Sequence, residues 1–108
     1  MIMQKENVLE VLVRQMLKEI KYKDVKSFYK INEFGDVYSE YKQGYLKPSK
    51  DKDGYLRLVL RGYNNPIYVR IATLVAYNFI GEPPKGMKDP TVDHIDSNIL
   101  NNHYSNLR

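Results

Sequence analysis

The sequence predicts an α+β fold: an N-terminal helix, a small antiparallel sheet, a short helix and a polar C-terminal loop. Three observations predict it. Val8, Leu9, Leu12, Val13, Met16 and Ile20 recur at helical spacing. Between Phe28 and Arg70, short alternating segments are separated by turns that carry glycine and asparagine. Ile71, Leu74, Val75 and Phe79 then return to helical spacing. A chain of 108 residues is long enough for one domain with its own core.

The first helix is expected over residues 5–20, with Gln4, Lys5, Gln15, Lys18 and Glu19 mostly opposite its apolar face. Such a face packs on the domain or, as a second use, pairs with a copy of itself to give a homodimer. Residues 1–24 are read as this helix and a linker, and residues 25–108 as the main domain. Phe28–Ile31 and Asp36–Ser39 form a hairpin around Asn32–Gly35, and Tyr45–Pro48 is a short third strand. Residues 50–54 are a polar turn that places glycine where a positive φ is expected. Tyr55–Leu60 is the clearest strand, with Leu56, Leu58 and Leu60 on one face and Tyr55, Arg57 and Val59 on the other. Ile67–Arg70 pairs back onto it. A short helix follows over 71–79, and the Pro83-Pro84 pair in the next loop cannot continue it. Thr91–Ile95 is β-like, and residues 96–105 read as loop.

No apolar run approaches the roughly 18 residues of a membrane span, and Glu6 precedes any apolar block, unlike a secretory signal. The absence of cysteine excludes disulfides, thiolate zinc sites and cysteine nucleophiles, and fits a cytoplasmic setting. Seventeen basic against thirteen acidic residues give a net charge of +4, a lean toward anionic partners. Lys47, Lys50, Lys52, Arg57, Arg61 and Arg70 fall on or beside the expected sheet with tyrosines between them. A face of this kind follows a phosphate backbone; it equally describes a solvated sheet guarded by lysine at its edges.

The last segment carries the chemistry. Residues 92–107 read V-D-H-I-D-S-N-I-L-N-N-H-Y-S-N-L. A carboxylate, Asp93, precedes an imidazole, His94, at the end of a β-like run, with several asparagines downstream. A carboxylate suits a hard divalent cation, and imidazole titrates close enough to neutrality to take a proton from water. An amide can fix the imidazole in its working orientation. Read without further context, Asp93 and Asp96 flank a turn and the asparagines satisfy loop backbone through Asx turns.

This segment resembles the central motif of the HNH endonucleases, the phage and intron-encoded homing group with a ββα-metal site. The similarity extends upstream through residues 20–39, through K-D-G-Y-L-R-L-V-L at 52–60 and through L-V-A-Y-N-F at 74–79, covering roughly residues 20 to 108. The resemblance implies a metal-dependent DNA endonuclease acting on double-stranded DNA. It implies that Asp93 ligates a single Mg²⁺ or Mn²⁺, that His94 is the general base, and that Asn106 orients the histidine or braces the loop, with Asn101 and Asn102 shaping that loop. The family pattern continues into a tryptophan-bearing strand and a helix that supplies a further ligand, and its usual His-Arg pair before the Leu-Val-Ala helix is Ala72-Thr73 here. The expectation is therefore an incomplete ββα-metal motif with weak activity or none. His103 is a poor substitute for the missing ligand. The alternatives are a non-catalytic DNA-binding module over residues 26–80 and an oligomerisation module built on helix 5–20.

Overall fold

A computed structural model describes residues 8–9, 16–86 and 91–108. Within these, the strands form two antiparallel sheets. The first contains β1 (Lys18–Glu19), β2 (Tyr29–Ile31), β3 (Val37–Ser39) and β4 (Gly44–Tyr45), in the order β1-β2-β3-β4. The second contains β5 (Ser49–Lys50), β6 (Leu56–Arg61) and β7 (Pro66–Arg70), in the order β5-β6-β7. Helix α1 (Ile71–Val75) follows β7 directly and opens into a π turn over Ala76–Ile80. A short 3₁₀ turn, Tyr104–Asn106, lies near the end.

Two expectations are corrected. The sheet over residues 28–70 is two sheets, because the chain leaves the first after β4 and re-pairs only at β5. Most of the helix expected over 5–20 lies outside the described residues, as does the basis for a dimer through it; Val8 and Leu9 are helical. Its expected last turn is a strand instead: Lys18 and Glu19 pair with Ile31 and Lys30, and Ile20 is buried in the core. Tertiary pairing with β2 overrides the helical spacing at that end.

The first hairpin turns on Asn32, whose side-chain oxygen accepts from the N–H groups of Phe34 and Asp36, both at 3.0 Å. Gly35 sits there at φ +89°, with no room for a Cβ beside Ile71 and Val75. In the second sheet, alternation follows the pleat: Leu58 and Leu60 are buried while Val59 and Arg61 are exposed. Arg61 turns its backbone toward the first sheet. Its N–H donates to the Tyr29 hydroxyl at 2.9 Å, its C=O accepts from Lys26 N–H at 2.9 Å, and Val25 bridges Gly62.

One core underlies both sheets. Ile31, Val37, Leu60, Leu74 and Val75 are almost fully buried, and Leu107 joins them from the C-terminal segment. Each such aliphatic side chain stabilises the fold by about 1.5–3 kcal/mol through burial. The helix changes register for a local reason. Asn78 Nδ2 donates to the Leu74 carbonyl at 2.8 Å, displacing the normal ladder, and Gly81 N–H reaches five residues back to Ala76 at 2.8 Å. Asn78 Oδ1 accepts from Lys21 N–H at 2.8 Å, and Lys18 Nζ donates to the Asn78 carbonyl, so this turn fastens β1 to the domain.

Candidate functional site

The C-terminal segment is held as a small antiparallel ladder. Asp93 and Arg108 exchange backbone hydrogen bonds at 3.0 and 3.1 Å, and Ile95 N–H reaches the Asn106 carbonyl at 2.7 Å. His94 bridges Leu107, the residue anchored in the core. The ladder then ends in a turn in which Ser97 N–H bonds the His94 carbonyl at 3.0 Å, with Ser97 itself at φ +63°. Asp93 and His94 therefore stand within the paired backbone, one residue before the ladder gives way to this turn.

Both residues line one open depression of about 340 Å³, together with Tyr55, Ile95, Ser97 and Arg108. Asp93 is exposed and His94 half-buried. The imidazole Nε2 lies 2.8 Å from the side-chain oxygen of Asn102, which is itself buried. An amide oxygen only accepts, so Nε2 carries the proton and Nδ1 keeps the basic lone pair. The Tyr55 ring stands 5.9 Å from the imidazole as the far wall.

The remaining asparagines build the loop. Asn106 accepts from Asp96 N–H at 3.0 Å and donates to Asp96 Oδ1 and to the Asn101 carbonyl, each at 2.9 Å. Asn101 Nδ2 donates to Asp96 Oδ2 at 3.0 Å, and Asn98 N–H to Asp96 Oδ1 at 2.8 Å. These donors, the Asn101 amide foremost, hold the Asp96 carboxyl below the usual carboxylate range. Of the two roles considered for Asn106, its contacts are those of a brace on the loop; Asn102 meets the histidine. His103 is engaged elsewhere. Its Nδ1 accepts from Ser105 N–H at 3.2 Å, and Nε2 lies 3.3 Å from Glu33.

Among the described residues, no group of three or more His, Cys, Asp and Glu side chains is placed to hold a metal ion. Asp93 offers one hard oxygen ligand at the depression. That set fits an ion of the magnesium type, which retains waters and shares substrate phosphate oxygens, and does not fit a cation enclosed by protein alone.

The basic residues divide by their partners. Lys47, Lys50 and Lys52 are exposed. On the outward face of β6, Arg57 lies 5.8 Å from the Tyr68 ring and Arg61 4.5 Å from the Tyr41 ring. Arg57 Nε is buried without a hydrogen-bond partner. Arg70, opposite Arg57 in register, is already committed: it pairs with Asp51 at 2.7 Å and Asp53 at 3.4 Å, and lies 3.9 Å over the Tyr55 ring. Burial works against the charge on Asp51, but the Arg70 guanidinium and the N–H groups of Asp53 and Tyr55 outweigh it and hold the carboxyl low. Asp51, Arg70 and Tyr55 thus form a stack that ends at the wall of the His94 depression. Sequence reasoning misses Tyr55 as a site residue; its place at the foot of the outward face of β6 is the available signal.

A protein of Acanthamoeba polyphaga mimivirus, named uncharacterized HNH endonuclease L245, is 39% identical over 79 residues, 73% of this chain and 23% of that protein. A solved structure described as DNA binding and cleavage by the HNH homing endonuclease I-HmuI superposes with a TM-score of 0.68 at 33% identity, over 85% of this chain and 50% of that one. The chain belongs to the HNH endonuclease family. It spans about a quarter of the length of the viral relative and half of the solved one. No protein-family model matches the sequence. The α+β arrangement of antiparallel strands and a short mid-chain helix among the described residues of this HNH chain agrees with the solved relative.

Proposed function

We propose that this HNH chain hydrolyses DNA phosphodiester bonds with a divalent metal, using His94 as general base and Asp93 as metal ligand. The observation that carries the reading is the Asn102–His94 contact at 2.8 Å beside an exposed carboxylate. Asn102 holds Nε2 as the donor, so Nδ1 accepts the proton of an attacking water. The loop stapled by Asp96, Asn101 and Asn106 keeps Asn102 in place, which spares the imidazole the entropy of choosing its orientation. Tyr55, stacked under Arg70, narrows the space on the other side of the ring. A bound Mg²⁺ or Mn²⁺ supplies positive charge against the charge that builds on the phosphate and the leaving oxygen. Asp93, as the exposed carboxylate of the depression, is the residue that would hold it, with phosphate and water oxygens as further ligands.

The test is nicking of supercoiled plasmid in a magnesium or manganese titration, with DNA binding followed by gel shift. His94→Ala should lower cleavage by about 10²- to 10⁴-fold, the usual worth of a positioned base, and leave DNA affinity intact. Asp93→Ala should abolish metal-dependent cleavage in the same way. Full cleavage by the His94 variant removes it from the mechanism.

A second reading, a DNA-binding module without catalysis, is favoured by one observation: Arg57 and Arg61 lie on the outward face of β6 and pair with no carboxylate among the described residues. It expects salt-dependent binding and no metal-dependent nicking under any condition.

A further inference from the structure

We infer that Lys26 and Arg61 form a second anion site, which anchors the phosphate backbone of a DNA duplex about six base pairs from the position cut at His94. The inference rests on the nuclease reading for the identity of the duplex and for that distance.

The site exists because the two sheets are joined there. Lys26 N–H bonds the Arg61 carbonyl at 2.9 Å, and Val25 bridges Gly62. This join brings two cations, far apart in sequence, to one open depression of about 430 Å³, larger than the one at His94; Asn64, Asn65 and Pro66 complete its rim. Neither cation is neutralised by a carboxylate among the described residues. The nearby Asp24 carboxylate accepts from Asn64 Nδ2 at 3.2 Å. Each cation instead lies against an exposed tyrosine, Lys26 Nζ at 5.7 Å from the Tyr63 ring and Arg61 at 4.5 Å from the Tyr41 ring. Aromatic faces restrain a long cationic side chain without cancelling its charge, so less order is lost when an anion arrives.

Strand β6 sets the distance. Tyr55, at its foot, lines the His94 depression, and Arg61, at its end, lines the second one. Six residues of extended chain span ~20 Å. A duplex rises ~3.4 Å per base pair, so ~20 Å corresponds to about six base pairs. Arg57, on the same face between them, carries its buried unpartnered Nε. Outward cations in line with the reactive depression suit a long polyanion better than a small one.

The experiment measures binding of a 30-base-pair duplex to the whole chain in EDTA across a salt series. Each phosphate that a cation neutralises adds ~0.9 to the steepness of log affinity against log salt. The double variant Lys26→Gln/Arg61→Gln should therefore flatten the slope by about 1.8, and Arg61→Lys should retain the full slope. Hydroxyl-radical footprinting should show protection about six base pairs to one side of the nick, and the double variant should abolish it. An unchanged slope in the double variant overturns the anchor even if the wild type nicks DNA. A flattened slope in a chain that never nicks keeps the anchor and removes the nuclease reading. If the double variant fails to fold by thermal melting, Lys26→Gln alone decides: its side chain rests on the exposed Tyr63 ring and makes no ion pair among the described residues, and a slope change well short of about 0.9 overturns the proposal.

Discussion

Asn102 presents its side-chain oxygen to Nε2 of His94 at 2.8 Å from a buried position behind the imidazole. The contact fixes both the ring and its tautomer. Asn102→Ala should therefore reduce cleavage by about 10- to 100-fold, the usual cost of removing a partner that orients a working histidine. It should also cost about 1 kcal/mol of stability through the missing hydrogen bond. Plasmid nicking and denaturant unfolding measure the two effects separately. Nicking at the wild-type rate would show that the imidazole orients itself without the amide.

Asp96 should give the fold an acid-sensitive component. Its carboxyl is held low by the Asn101 amide, the Asn98 N–H and the Asn106 amide. A group whose pKa is depressed on folding contributes stability above its unfolded value, near 3.8, and loses it as pH falls through the lower folded value. Denaturant midpoints measured between pH 5 and about pH 2 should fall, and Asp96→Asn should flatten that fall. Asp51 adds a second component with the same sign, because Arg70 and two N–H groups hold it low as well. An identical pH profile in Asp96→Asn would show that the loop staple is indifferent to its charge.

The contrast between Asn102 and Asn106 shows what the sequence could and could not reveal. Alternation along Leu56–Arg61 made the strand and its buried face legible, because a period of two survives any context. The Asn32–Gly35 turn and the start of the helix at Ile71 were legible for the same kind of reason. The Asp93-His94 pair was legible as a motif. The assignment of four nearby asparagines was not, since an irregular loop has no period from which to tell that residue 102 faces the imidazole and 106 faces Asp96. β1 was hidden because two residues cannot display alternation, and they follow a segment with helical spacing. Lys26 was hidden because its partner, Arg61, is reached only through the join between the sheets.

Gly35→Ala should destabilise the domain by about 2–4 kcal/mol. Part is the cost of a side chain at φ +89°, and the rest is overpacking, since the new Cβ would fall inside contact distance of Ile71 and crowd Val75. Both neighbours are core residues and cannot move freely. Thermal melting measures the loss; a change below about 0.5 kcal/mol, the scatter of ordinary surface substitutions, would mean that the hairpin and helix separate without cost.

Tyr29→Phe should cost about 1–3 kcal/mol although it removes a single oxygen. The phenol accepts the Arg61 N–H at 2.9 Å from a ring buried in the core. Without it, a backbone donor at the join between the sheets is left unpaired. Urea unfolding of the variant gives the number, and amide exchange at Arg61 should accelerate selectively.

Arg57 and Arg70 face each other in register across β6 and β7, yet they should respond differently to DNA. Arg70 already commits its charge to Asp51 and Asp53. Arg57 has no carboxylate partner among the described residues, and its guanidinium lies instead 5.8 Å from the Tyr68 ring. Arg57→Gln should flatten the salt dependence of DNA binding by about 0.9, the share of one neutralised phosphate. Arg70→Gln should change that slope by less than half as much. Its effect should appear as reduced stability and slower cleavage, because the stack that holds Tyr55 beside His94 is broken. Salt-dependent anisotropy with both variants decides between them: equal slopes would mean that DNA draws Arg70 away from its carboxylates, and that the sheet face acts as one undivided cationic surface.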